Sequence, residues 1–83
     1  MFGRSDLRTA SALISYGSML LETGFPSLAE PLLREGLRSR EAALPDDSRL
    51  VADARQAVAA CLVALDRMAE AEIETESIHL TAP

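Results

Sequence analysis

"LLETGFPSLAEPLLREGL" occupies Leu20–Leu37 and carries two prolines inside a pattern that is otherwise helical. At its centre Ala29-Glu30 anticipates Ala71-Glu72, 42 positions downstream. Whether that echo is accident or architecture decides the fold. Upstream of the quoted stretch, apolar or small residues fall at Leu7, Ala10, Leu13, Ile14, Gly17, Leu20 and Leu21. Steps of three and four put them on one face of a helix. Asp6 can accept the first free N–H groups, and Gly24 suits the left-handed position just past a helix end. The pattern therefore predicts a first helix over about residues 6–22. Beyond it, Leu33, Gly36, Leu37, Arg40 and Leu44 make a second stripe, with Leu28 and Leu32 beside it. A second helix is expected over about 27–43, with Ser27 as its cap. Pro31 would then stand at the edge of the first turn, where proline is tolerated. "LPDD" at Leu44–Asp47 ends it.

Asp46, Asp47 and Ser48 offer capping oxygens and negative charge to the next helix start. Leu50, Val51, Ala54, Ala57, Val58, Cys61, Leu62 and Leu65 then give the most regular amphipathic pattern in the chain. "LDR" at Leu65–Arg67 breaks the pattern, and a fourth helix is expected from about Met68 to 78. That last stretch alternates polar and apolar and can also be read as a strand. A lone strand would leave its backbone groups unpaired, so the helical reading is kept.

The bulk composition agrees. Of 83 residues, 48% are hydrophobic but only 4% aromatic, and the apolar mass is Leu and Ala, the vocabulary of packed helices. An all-α single domain spanning 1–83 follows. The net charge is -5 and all eight basic residues are Arg. Such a chain repels phosphate backbones and anionic membrane surfaces, so neither nucleic acid nor membrane is expected as a partner. One cysteine, Cys61, excludes an internal disulfide framework. The first residues lack the apolar core of a signal peptide, and no apolar run reaches the ~20 residues of a membrane span. A cytoplasmic location is the expectation.

Aligned with itself at an offset of 42, the chain sets Ala12 on Ala54, Gly17 on Ala59, Leu20 on Leu62 and Gly24 on Asp66. Small falls on small and turn on turn, so a helix–turn–helix unit occurs twice: one repeat over about 7–44, a second over about 48–80. Gly17 and Ala29 lack the bulk that would hold two helices apart. Antiparallel partners can close on each other there while Leu13, Leu20 and Leu33 interlock around them.

These residues resemble the tetratricopeptide repeat, in the 42-residue form found in kinesin light chains and bacterial tandem arrays. The resemblance covers about 7–73 and rests on Leu13, Tyr16, Gly17, Leu20, Gly24, Ala29 and Leu33, with Gly36 where Ala is usual. It implies two antiparallel helix hairpins stacked as a short right-handed superhelix. The second unit departs from the pattern at Arg55, Asp66 and Thr75, as in a degenerate, cap-like final repeat. Glu70, Glu72, Glu74 and Glu76 suit a solvated outer face, with a cation site as the minor alternative. Two units are fewer than the ~3 that usually stabilise a stack. The expectation is a C-terminal piece of a longer array in a larger bacterial protein, or a surface that pairs with another copy.

The family binds partner proteins or peptides in a groove lined by the first helix of each unit. Carried over, the groove would comprise Ser11, Ile14, Ser18 and Leu21 with Asp53, Gln56, Ala60 and Val63. It lacks the cations that hold a partner's acidic C-terminus, and suits an apolar or helical ligand better. The alternative is a purely structural cap or homodimerisation unit. No catalytic residue, metal site or cofactor is expected: His79 is alone, Cys61 lies on the buried stripe, and the glycines are scattered. Arg34, Arg38 and Arg40 are expected to pair with Glu30, Glu35 and Glu41.

Overall fold

The computed structural model describes residues 6–81, and side-chain surroundings as far as residue 70. Three helices make up the described chain: α1 (Leu7–Glu22), α2 (Pro26–Ala43) and α3 (Arg49–Thr81). The helical class is as the composition indicates, and no strand forms among the described residues.

Asp6 caps α1, its carboxylate accepting from the Arg8 backbone N–H at 2.9 Å. The other end closes as a left-handed glycine turn. Gly24 sits at φ 96°, its N–H donates to the Leu21 carbonyl, and the Phe25 N–H reaches back to that of Leu20 at 2.8 Å. Two carbonyls that the helix leaves free are thereby satisfied. The Thr23 hydroxyl donates to the Met19 carbonyl at 2.9 Å. Pro26 then opens α2 at its first helical position, where a missing N–H costs nothing.

Ser27 is therefore not the cap. Phe25 holds that position without a side-chain bond, and Pro31 lies well inside the helix. Pro31 deprives the Ser27 carbonyl of its helical donor, and both residues stand on the exposed side, where water can serve instead. After α2, the Ser48 hydroxyl accepts from the Leu50 N–H at 3.2 Å and starts α3.

α1 and α2 pack antiparallel through two glycines. A Cβ placed on Gly17 would lie 2.8 Å from Leu33 Cγ, and one on Gly36 would lie 2.6 Å from Ile14 Cδ1. Each large side chain fills the gap its partner glycine leaves, so the backbones meet almost directly. α3 packs mainly on α2 and touches α1 lightly. Leu33, Val51 and Cys61 are the largest fully buried side chains, joined by Ala10, Ala29 and Ala54. The Cys61 thiol donates to the Pro26 carbonyl at 3.2 Å, tying α3 to the start of α2.

The expected break at Leu65–Arg67 does not occur. α3 runs unbroken for 33 residues, so the separate third and fourth helices are one helix and the second hairpin is not formed. The physical reason is visible at the 42-residue offset. Gly24 becomes Asp66 and Pro26 becomes Met68, so the position that allows a left-handed turn and the one that pre-sets a helix start are both lost. Methionine is a good helix former, and nothing else there stops the chain. A helix of this length spans about 50 Å; the molecule measures 58 × 26 × 16 Å.

Candidate partner groove

α1 and α3 both run antiparallel to α2, and the residues expected to line a groove come from these two helices. On α3, Asp53, Gln56, Ala60 and Val63 are all exposed and share one face at steps of three and four. They lie away from the buried stripe of Val51, Ala54, Val58 and Cys61. On α1 the four positions divide. Ser11 is exposed and Ser18 half-buried, whereas Ile14 is drawn into the seam against Gly36 and Leu21 packs on the core of Ala29, Leu33, Val58 and Cys61. The accessible surface is thus mostly α3, with the two serines of α1 at its margin.

Arg40 joins the two sides at one end. Only 7% exposed, it donates from Nη1 to the Leu50 carbonyl at 2.9 Å and from Nη2 to Ser11 Oγ at 3.5 Å. Its Nε has no partner among the described residues. The expected pairing with Glu41 does not form, because Glu41 is engaged by Arg55 across the α2–α3 boundary at 3.3 Å. Arg34–Glu30 at 2.9 Å and Arg38–Glu35 at 3.2 Å are as expected for neighbours on one helix. The sequence did carry a sign of the difference: Arg40 falls on the apolar stripe with Leu33, Gly36 and Leu37, and a cation on such a stripe is directed inward. Both its terminal nitrogens are in use, so it offers no free fork to a partner's carboxylate.

Burial pushes the Cys61 thiol above its ordinary value of 9.0, the Glu30 charge adds to the rise, and Arg34 opposes it. A protonated, enclosed thiol is a small apolar core group rather than a nucleophile. His79 lies outside the described side chains. Among the described residues no three His, Cys, Asp or Glu side chains converge. None of the described helices is long and apolar enough to cross a membrane.

A second exposed region lies further along α3, where Leu62, Val63, Leu65, Asp66 and Ala69 outline a shallow apolar hollow. Sequence reasoning reached it only at Val63, because a chain turn was expected at Leu65–Arg67. Comparison with protein-family models, curated proteins and solved structures gave no match.

Proposed function

We propose that the chain is a protein–protein interaction module, a cytoplasmic piece of a tetratricopeptide-like α-solenoid that receives an apolar or helical segment of a partner along the exposed face of α3 and the margin of α1. The observation that carries this reading is a register of burial. At the 42-residue offset, Ala54, Val58 and Cys61 of α3 correspond to Ala12, Tyr16 and Met19 of α1. The α3 set is buried against α2, and the α1 set is exposed. Conversely Ala10 and Gly17 are buried, and their counterparts Ala52 and Ala59 are exposed. Each of the two helices thus has one face suited to its own hairpin partner and another suited to the preceding unit. α1 uses the first and α3 the second. Such alternating use is what stacking of like units produces. It supports a piece of a longer array in which an upstream unit covers Tyr16 and Met19.

The groove chemistry follows from its lining. Gln56, Ala60 and Val63 give a narrow, mainly uncharged strip, and Asp53 is its one charged member. A helical ligand would contribute aliphatic anchors at steps of three and four. The test is chemical-shift mapping of the isotope-labelled chain with amphipathic helical peptides. Shifts should cluster at Ser11, Ser18, Gln56 and Ala60 and vanish in Ala60→Glu, while Leu28→Glu leaves them intact. Shifts centred instead on Glu35 and Arg38 would remove the groove from consideration.

A further inference from the structure

We propose that Ser11 is a phosphorylation site whose phosphate is received by Arg40, the one arginine buried among the described residues. The proposal is independent of whether the groove takes a ligand. Arg40 is 7% exposed, and its guanidinium is poorly served for a charge held so far from water. Nη1 donates to the Leu50 carbonyl at 2.9 Å, but Nη2 reaches Ser11 Oγ only at 3.5 Å. Nε is enclosed and has no partner among the described residues. The ion pairs among the described residues use Arg8, Arg34, Arg38 and Arg55, so no carboxylate there neutralises Arg40. A cation buried among neutral partners carries a desolvation cost, which an anion at hydrogen-bond distance offsets. The bond from Nη2 runs to an exposed residue, so the site opens to solvent along that bond.

A phosphate on Ser11 supplies what is missing. It brings three strong acceptor oxygens and a charge of about −2 at neutral pH. A neutral acceptor at the edge of hydrogen-bond range is thereby replaced by charged oxygens beside the same guanidinium. Arg8 stands three residues before Ser11, on the same side of α1. Its side chain is 90% exposed and approaches Asp6 only to 3.9 Å, so it is free to turn to the phosphate from outside. The phosphate then lies between an inner and an outer guanidinium. It fastens α1 to α2 and, through the bond of Arg40 to the Leu50 carbonyl, to α3. Access for a kinase is local: from Leu7 to Ser11 only Ala10 is buried, so this end of α1 can open while the core of Ala29, Leu33, Val58 and Cys61 stays packed. In the transfer, Ser11 Oγ bonds to the γ-phosphorus of ATP and the bond from that phosphorus to the ADP oxygen breaks. The hydroxyl proton passes to the kinase's base. Ser15, exposed one turn later on α1, has no bond to an arginine among the described residues and serves as the internal contrast.

The full chain, treated with ATP and a serine kinase that reads basic residues ahead of its acceptor, tests the site. Mass spectrometry should place phosphate on Ser11. The product is then compared in urea unfolding with the unmodified chain and with a chain synthesised to carry phosphate on Ser15. Phosphate on Ser11 should raise the folding equilibrium constant about tenfold, the worth of a hydrogen bond to a charged group. On Ser15 it should give no such rise. In Arg40→Met, which keeps an unbranched apolar stem, the gain from phosphate on Ser11 should disappear. Should that variant not fold, the side-chain N–H resonances of the unsubstituted chain decide. Those of Arg40 should shift with phosphate on Ser11 and stay in place with phosphate on Ser15. A kinase that leaves Ser11 unmodified, an equal effect at both serines, a gain that persists in Arg40→Met, or unmoved Arg40 resonances overturns the proposal.

Discussion

The segments 20–37 and 62–79 stand 42 residues apart and share Leu20/Leu62, Ala29/Ala71 and Glu30/Glu72, yet one folds as a turn between two helices and the other lies within a single rod. Among the many positions that differ, two bear on the turn: Gly24 and Pro26 in the first, Asp66 and Met68 in the second. Gly24 adopts φ 96° and lets two N–H groups close the end of α1. Asp can reach that conformation only at some strain, and Met at the position of Pro26 favours continuing the helix. Propensity to form helix is therefore shared along the chain, and the decision where to stop is local. The consequence is global, since one hairpin is closed on itself and the other helix is left with an open face.

The largest way to break this comparison is to load the closed seam and its open counterpart equally. Gly17→Leu should destabilise the fold by about 3 kcal/mol, the upper end for overpacking, because the Cβ alone would already press on Leu33. Ala59→Leu, the same change one unit later, should shift monomer stability by less than about 0.5 kcal/mol, as an exposed position does. Urea melts of both variants at low concentration check the contrast; equal losses would mean that the faces are not used differently.

A smaller effect probes the turn. Gly24→Ala should cost about 1 kcal/mol, all of it backbone strain, since no atom lies within 4 Å of the added Cβ. Thermal melts measure it. A neutral result would show that the left-handed residue is not what ends α1.

The smallest effect is a pH dependence. The folded-state thiol of Cys61 is held above its ordinary value of 9.0, chiefly by burial. Its contribution to stability is therefore complete below about pH 9 and is lost as pH rises beyond that value, because the unfolded chain releases the proton first. Stability measured between neutral pH and pH 10 should fall, and Cys61→Ala should flatten that fall.

Much of this was legible in the residues. The positions of α1, of most of α2 and of the start of α3 follow from stripe spacing and caps, and the close approach at Gly17 follows from its lack of a side chain. Gly36 was legible only as a departure from the usual Ala; that it receives Ile14 depends on how the helices cross, which spacing alone does not state. The uninterrupted α3 was hidden because "LDR" at Leu65–Arg67 breaks the apolar stripe and so reads as a turn, in line with the 42-residue echo, although the Gly and Pro that make the first turn are replaced there. Arg40 was assigned to a surface ion network by proximity in sequence, when its place on the apolar stripe directs it inward to Leu50 and Ser11. Of the groove residues, the α3 set could be read from its face, while Ile14 and Leu21 are claimed by packing that only the three-helix arrangement decides.

The central claim is that the chain does not turn back after Leu65. Spin labels at Gln56→Cys and Ser77→Cys, in a Cys61→Ala background diluted with unlabelled protein, measure it within one chain. A continuous helix separates the two positions by about 30 Å. A folded-back fourth helix would bring them within about 10–15 Å, the spacing of packed helices with their labels, and would contradict the account.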